Sequence, residues 1–102
     1  MTVENPIFAE IAAMLESAPD AGIDELEDTL TSGYAAALQL EAERWRIERR
    51  IAEVAGVVES AGGTDELASL ARRLTAADQD LSRLRGLLGT LRERADAVRT
   101  AA

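Results

Sequence analysis

The sequence contains no cysteine, no histidine and no lysine. Without cysteine the chain can form no disulfide, no zinc–thiolate site and no thiol nucleophile. Without histidine it lacks the commonest general base and metal ligand of proteins. All 11 basic residues are arginine, and this arginine- and alanine-rich composition suggests a GC-rich bacterial genome. We therefore expect no enzymatic activity, no catalytic residue, no cofactor and no metal site.

Aromatic residues are also scarce. One Trp, one Tyr and one Phe make up 3% of the chain, whereas hydrophobic residues as a whole make up 47%. A chain of 102 residues is one domain, and so small a domain buries only a limited core. The composition favours thin, closely packed helices that gain stability from a partner or from self-association.

Long apolar runs and a signal-peptide pattern are missing as well. No uninterrupted apolar segment approaches the ~20 residues that span a bilayer. The first residues show no basic region followed by an apolar stretch, which a secretory signal requires. The sequence therefore predicts no membrane association and a cytoplasmic location.

The net charge of -8 is unevenly distributed. Residues 1–43 carry ten acidic side chains and no arginine, whereas residues 44–102 carry nine acidic side chains and all 11 arginines. Binding to nucleic acid requires cations that neutralise phosphates, so the charge argues against a nucleic-acid partner. The acidic first part would instead suit a basic protein surface.

A hydrophobic heptad repeat is what the sequence does have, and it occurs twice. Apolar or small side chains recur at alternating spacings of three and four residues, which is typical of a coiled-coil seam. We call these positions the seam. The first series is Ile23, Leu26, Leu30, Gly33, Ala37, Leu40, Arg44, Ile47, Ile51, Val54 and Val58. The second series is Leu67, Leu70, Leu74, Ala77, Leu81, Leu84, Leu88, Leu91, Ala95, Val98 and Ala102.

A short amphipathic helix and a linker occupy residues 1–22 in this interpretation. Asn5-Pro6 suits a helix start, because Asn caps well and Pro fits the first helical position. We expect this helix to run from about Pro6 to Ser17, where the Pro- and Gly-containing residues 18–22 end it.

Residues 23–102 are predicted to form a helical hairpin with its turn at 61–64. The second helix should run from about Ile23 to Ser60, and the third from a capping Thr64 to about Thr100. The predicted fold is all-α: a long antiparallel two-helix coiled-coil hairpin preceded by a short amphipathic helix. We expect it to dimerise into a four-helix arrangement.

The register of the hairpin stays open at this point. A turn centred near Thr64 would form the charge pairs Glu27–Arg99, Glu41–Arg85 and Arg50–Asp80. A turn centred half a heptad earlier would set Gly33 against Leu88 and Ala37 against Leu84, small against large.

Three sets of residues are candidates for an interface with a partner or a second copy. An apolar stripe lies off the seam on one outer flank of the second helix, and a strip of small residues lies on the third. The apolar face of the first helix, a second copy or a foreign protein would cover the stripe. The candidates are Tyr34, Leu38, Trp45 and Ala52; Phe8, Ile11 and Leu15; and Ser82, Gly86 and Gly89.

Arg44 stands out because it places a charge at a seam position. Either its stem lies along apolar neighbours while the guanidinium reaches a flanking carboxylate, or it fixes the register or oligomeric state.

Acidic residues flank the predicted turn, namely Glu59, Asp65 and Glu66. They suit solvated helix caps. In shape, such a tip also resembles that of the transcription factors that enter the RNA polymerase secondary channel, which hold Mg²⁺ there. That resemblance implies a role in transcription as one alternative function.

In charge, length and helical pattern the chain is similar to the small type VII secretion substrates. Their Trp-x-Gly turn motif is replaced here by Ala61-Gly62-Gly63-Thr64, and Trp45 lies in the middle of a helix. The resemblance implies a secreted hairpin as a second alternative. Glu25 and Asp28 have the spacing of carboxylates in helical nucleotide pyrophosphohydrolases, so a carboxylate metalloenzyme is a third. The leading hypothesis is a non-enzymatic coiled-coil module that acts as scaffold, adaptor or regulatory subunit.

Overall fold

The computed structural model describes residues 6–17, 21–57 and 63–101. They form three α-helices, α1 (Pro6–Ser17), α2 (Ile23–Ala55) and α3 (Gly63–Ala101), and these described residues include no strand. The predicted all-α class is confirmed. The predicted bounds of α1 are also confirmed.

The start of α2 follows the prediction, but its end does not. Asp24 and Glu25 lie in its first turn, where the helix dipole favours negative charge. At the other end the helix stops at Ala55 rather than Ser60, and Val57 donates to the Val54 carbonyl at 3.0 Å. This three-residue spacing tightens the last turn just where Gly56, a poor helix former, interrupts the sequence.

The predicted turn at 61–64 also needs correction. Gly63 and Thr64 already belong to α3, so Thr64 is not the residue that precedes the helix. Asp65 and Glu66 lie in the first turn and stabilise this end of the helix through its dipole. Asn5, Glu59, Ala61 and Gly62 lie outside the described residues.

The contacts of the chain define two compact units. The terminal unit consists of the described residues of 1–37 and 83–102, and the central unit consists of residues 38–82. Every described seam residue in both units is buried or half-buried, which confirms the predicted burial of the seam. Val58 and Ala102 lie outside the described residues.

In the terminal unit, α1 packs into the core. Ile11 is fully buried, and Ile7 and Phe8 are nearly so. The Arg83 guanidinium lies 4.5 Å from the centroid of the Phe8 ring, within the range of a cation–π contact. The amphipathic pattern of α1 therefore serves packing within the chain.

The last turn of α1 is held by Arg94 of α3. Its Nη1 donates to the carbonyl oxygens of Met14 and Leu15 at 3.2 and 3.0 Å. Carbonyls at the end of a helix have no partner within the helix and carry the negative end of its dipole. Arg94 therefore meets both a hydrogen-bonding need and a charge preference.

Features of both alternative registers occur together in the terminal unit. Arg99 Nη2 lies 2.6 Å from Glu27 Oε1, and Gly33 packs against Leu88. A Cβ at Gly33 would overlap Leu88 Cδ2 and lie 3.5 Å from Ile11 Cδ1. The absence of a side chain at residue 33 thus makes room for two neighbours.

In the central unit the core consists of Ile47, Val54, Leu70 and Ala77, with Ile51, Leu67 and Leu74 packed against it. Arg50 joins α2 to α3 there, since its Nη2 lies 2.7 Å from Glu66 Oε1. In place of the Arg50–Asp80 pair of one alternative register, Arg50 contacts Glu66 and, at 3.3 Å, Glu53.

Candidate interaction surface

An exposed apolar row runs along α2 in the central unit. Leu38 is 67% exposed and Trp45 58% exposed, and they lie seven residues, about two helical turns, apart. We call this row the Trp45 face, and its exposed members are Leu38, Ala42, Trp45, Arg49 and Ala52.

The helical period explains why the Trp45 face points away from the core. Successive residues of an α-helix are rotated by about 100°, so residues two apart lie on nearly opposite sides. Trp45 and Ala52 each precede a core residue, Ile47 and Val54, by two positions. A helix buried on one side and apolar on the other is a candidate for packing against a second surface.

Arg49 gives the Trp45 face a cationic member. Its guanidinium lies 4.8 Å from the centroid of the Trp45 ring, one helical turn further along α2. This distance permits a cation–π contact that restrains the indole. Ala42 and Arg49 were not predicted from the sequence, although Ala42 lies three residues before Trp45 and Arg49 four residues after it, which places them on the same side of the helix.

Tyr34, the remaining candidate of the stripe, belongs to the terminal unit. It is 44% exposed even though α1 packs within the same unit. Of the three covers left open for the stripe, the first helix therefore does not bury this aromatic residue.

The α1 candidates were proposed as interface residues, and this interpretation needs correction. Phe8 and Ile11 are buried within the chain, against α2 and α3 residues such as Gly33 and Arg83, and Leu15 is half-buried. In this structure Phe8 and Ile11 are core residues rather than a free interface. The reason is that Gly33 leaves room for Ile11.

The small-residue candidates on α3 are exposed. A Cβ at Gly86 or Gly89 would meet nothing within 4 Å, and Ser82 is also exposed. In the central unit, Ala71, Thr75 and Ala76 line an open depression of about 320 Å³, and all three are exposed. A site for a small molecule is normally an enclosed, largely apolar cleft. This shallow region lacks that shape.

Arg44 is half-buried between two carboxylates of the central unit. Its Nε lies 2.8 Å from Asp78 Oδ1 and 3.1 Å from Glu48 Oε1. The N–H is not directed at either oxygen, so these contacts are ionic rather than hydrogen-bonded. The guanidinium reaches a flanking Glu, as one of the two sequence hypotheses required, and it also bridges to α3.

The acidic tip is not a pair of free carboxylates. Asp65 is exposed, but Glu66 accepts a hydrogen bond from Arg50 Nε at 2.8 Å, and Glu59 lies outside the described residues. The hydrogen bond to Glu66, followed by that to Glu53, raises the pKa of Arg50 above its ordinary value. Glu66 is therefore engaged in holding α2 to α3.

The described parts of the chain contain neither a metal-binding cluster nor a membrane-spanning helix. There, no three histidine, cysteine, aspartate or glutamate residues gather in a group that could hold a metal ion. Among residues 6–17, 21–57 and 63–101, no helix combines the length and apolar character that crossing a membrane requires.

Comparison of the chain with protein-family models, curated proteins and solved structures gave no match.

Proposed function

We propose that this protein is a non-enzymatic helical interaction module that binds another protein through the Trp45 face. The observation that carries the proposal is the exposure of Leu38 and Trp45 on the side of α2 that points away from the core. Tryptophan is among the residues most enriched at the energetic centres of protein interfaces. Leaving it in water forgoes a large apolar burial.

The proposed architecture is an antiparallel coiled-coil hairpin of α2 and α3. Its support is the heptad spacing, which continues through both helices, and the order of the contacts. In the central unit, Arg44 of α2 pairs with Asp78 of α3, and Arg50 pairs with Glu66. Residue numbers therefore increase along α2 as those of their α3 partners decrease, which is the order of contacts in an antiparallel pair. Two such hairpins packed through their Trp45 faces would make a four-helix arrangement.

The role that follows is that of a scaffold, adaptor or regulatory subunit. Helix-on-helix packing supplies the affinity in such a module, and charges at the edge of the interface select the partner. The chemistry needed is present on α2, where apolar Leu38 and Trp45 are accompanied by Arg49.

Photo-crosslinking from the Trp45 face tests this proposal. A benzophenone amino acid replaces Trp45 in one variant and Val57 in a matched control, because Val57 is equally exposed, at 59%, but lies beyond the end of α2. We expect irradiation in the native cell to join position 45, but not position 57, to one defined protein, which is another copy or a different chain. The Leu38→Ala substitution should reduce that product. Absence of any product at position 45, in cells and at high purified concentration, contradicts the proposal.

A further inference from the structure

We infer that the partner of the Trp45 face is a second copy of the same chain, packed antiparallel with Trp45 at the centre of the interface. The inference rests on the proposed function and identifies its partner and orientation. Its basis is a symmetry in the spacing and charge of the residues along α2.

The apolar members of the face are placed symmetrically about Trp45. Leu38 lies seven residues before it and Ala52 seven residues after it. When two copies of α2 run antiparallel with their Trp45 residues opposed, Leu38 of each copy faces Ala52 of the other. A large side chain then meets a small one at both ends, which permits close packing of the two helices.

The charges at the face show the same symmetry with opposite signs. Glu41 lies four residues before Trp45 and Arg49 four residues after it, and both are exposed. The antiparallel pairing sets Glu41 of each copy against Arg49 of the other, which forms two ion pairs. A parallel pairing would instead set Glu41 against Glu41 and Arg49 against Arg49. Charge therefore favours the antiparallel orientation.

Contacts within one chain are compatible with this pairing. Arg49 lies over Trp45, so its guanidinium is already held at the face. Glu41 has an interaction of its own within the chain, and a carboxylate with two oxygens can accept a further donor. The pairing requires Glu41 to lie at the edge of the Trp45 face. Glu41 meets this requirement, because it is exposed and lies four residues before Trp45.

Charge reversal tests the inference in solution. Light scattering coupled to size exclusion, at several concentrations, should give a dimer for the wild type. Glu41→Arg and Arg49→Glu should each raise the dissociation constant roughly tenfold, because two exposed ion pairs become two repulsions. The matched control is Glu43→Arg, whose position beside Leu70 and Arg73 is away from the face, and it should leave the constant unchanged.

Mixing the two single variants should restore a heterodimer of wild-type strength. The Glu41→Arg chain presents two cations and the Arg49→Glu chain two anions, so both contacts become attractive. The double variant Glu41→Arg/Arg49→Glu should also dimerise like the wild type. Single variants that dimerise as well as the wild type would overturn the inference, because a parallel pair starts with like charges and loses nothing.

Disulfide trapping gives the orientation directly, since the chain contains no cysteine. Under mild oxidation, a mixture of Leu38→Cys and Ala52→Cys chains should form a disulfide dimer. Neither variant alone should do so, because equivalent positions would lie ~21 Å apart across the antiparallel pair. Trapping of each variant with itself would overturn the inference.

A wild type that stays monomeric at every concentration also overturns the inference. It leaves the proposed function to be decided by the crosslinking experiment, in which position 45 would then capture a different protein. A dimer that Trp45→Ala does not weaken also overturns the inference, because self-association would then use another surface. The crosslinking experiment again decides the proposed function.

Discussion

The two glycines at residues 33 and 86 lie within helices but have opposite surroundings. A Cβ at Gly33 would overlap Leu88 and touch Ile11, whereas a Cβ at Gly86 would meet nothing within 4 Å. Glycine within a helix costs about 1 kcal/mol relative to alanine, whatever its neighbours. The effect of a methyl group at each position is therefore decided by packing.

We predict that Gly33→Ala lowers the free energy of unfolding by about 1 kcal/mol, because overpacking costs ~1–3 kcal/mol and the gain in helix propensity is only about 1 kcal/mol. Gly86→Ala should raise it by up to about 1 kcal/mol. Urea unfolding monitored by circular dichroism measures both, and Leu88→Ala should remove most of the penalty of Gly33→Ala in the double variant. Equal effects of the two glycine substitutions would contradict the assigned contact.

Arg44 shows what a single seam residue can and cannot reveal in advance. Its seam position predicted that the charged group would extend out of the core toward a carboxylate. The half-buried side chain does reach Glu48. The second carboxylate, Asp78, belongs to α3, and no spacing within α2 could identify it. An ion pair this exposed contributes only ~0–1 kcal/mol to the free energy of unfolding. The Arg44–Asp78 pair therefore does more to align α2 with α3 than to stabilise the fold.

Helix bounds were predictable where the sequence has strong local signals. Pro6 starts α1, and a segment that contains Pro19 follows its end. The end of α2 was missed, because the apolar repeat continues to Val58 although the helix stops before Gly56. Periodicity reports which side of a helix is apolar, whereas the last turn depends on local backbone preferences.

The packing of α1 was beyond sequence reasoning for a different reason. Its amphipathic pattern predicts an apolar face, but that face could have covered any exposed stripe. Its position is decided by long-range complementarity, in which Gly33 accommodates Ile11, and Arg83 and Arg94 contact Phe8 and the end of the helix. Only the three-dimensional structure brings these residues together.

Arg94 should therefore control how firmly α1 is attached. Its guanidinium makes two hydrogen bonds to the Met14 and Leu15 carbonyls, and a hydrogen bond to a charged group contributes about 1.5–3 kcal/mol. We predict that Arg94→Ala increases amide hydrogen exchange selectively in α1, because the helix opens more often without its last-turn partner.

Exchange measured by mass spectrometry checks this prediction, with Arg92→Ala as the control on an exposed neighbour of the same helix. The control should leave exchange in α1 unchanged, and Arg94→Lys should have an intermediate effect because it keeps the charge but loses the planar fork. Uniform acceleration along the whole chain would indicate global destabilisation and contradict a local role for Arg94.

Small size and exposed apolar surface together make self-association energetically reasonable for this chain. It has 102 residues, and among those that the structure describes the exposed large apolar side chains are Tyr34, Leu38, Trp45 and Val57. A small domain gains little from its own core, and covering exposed apolar surface adds to its stability. The exposure of the Trp45 face was predictable, because positions adjacent to a seam lie outside it, but the identity of its partner depends on a second molecule.

Association of folded chains must appear as a dependence of thermal stability on protein concentration. A partner that binds only the folded state stabilises it by mass action. We predict that the wild-type melting temperature rises over a hundredfold range of concentration. Trp45→Ala should reduce this dependence, whereas Val57→Ala should retain it, because Val57 is exposed to a similar degree but is not part of the Trp45 face. Scanning calorimetry or circular dichroism at matched heating rates measures the effect. A wild-type midpoint that does not change with concentration would mean that the chain folds as a monomer, which contradicts self-association through the Trp45 face.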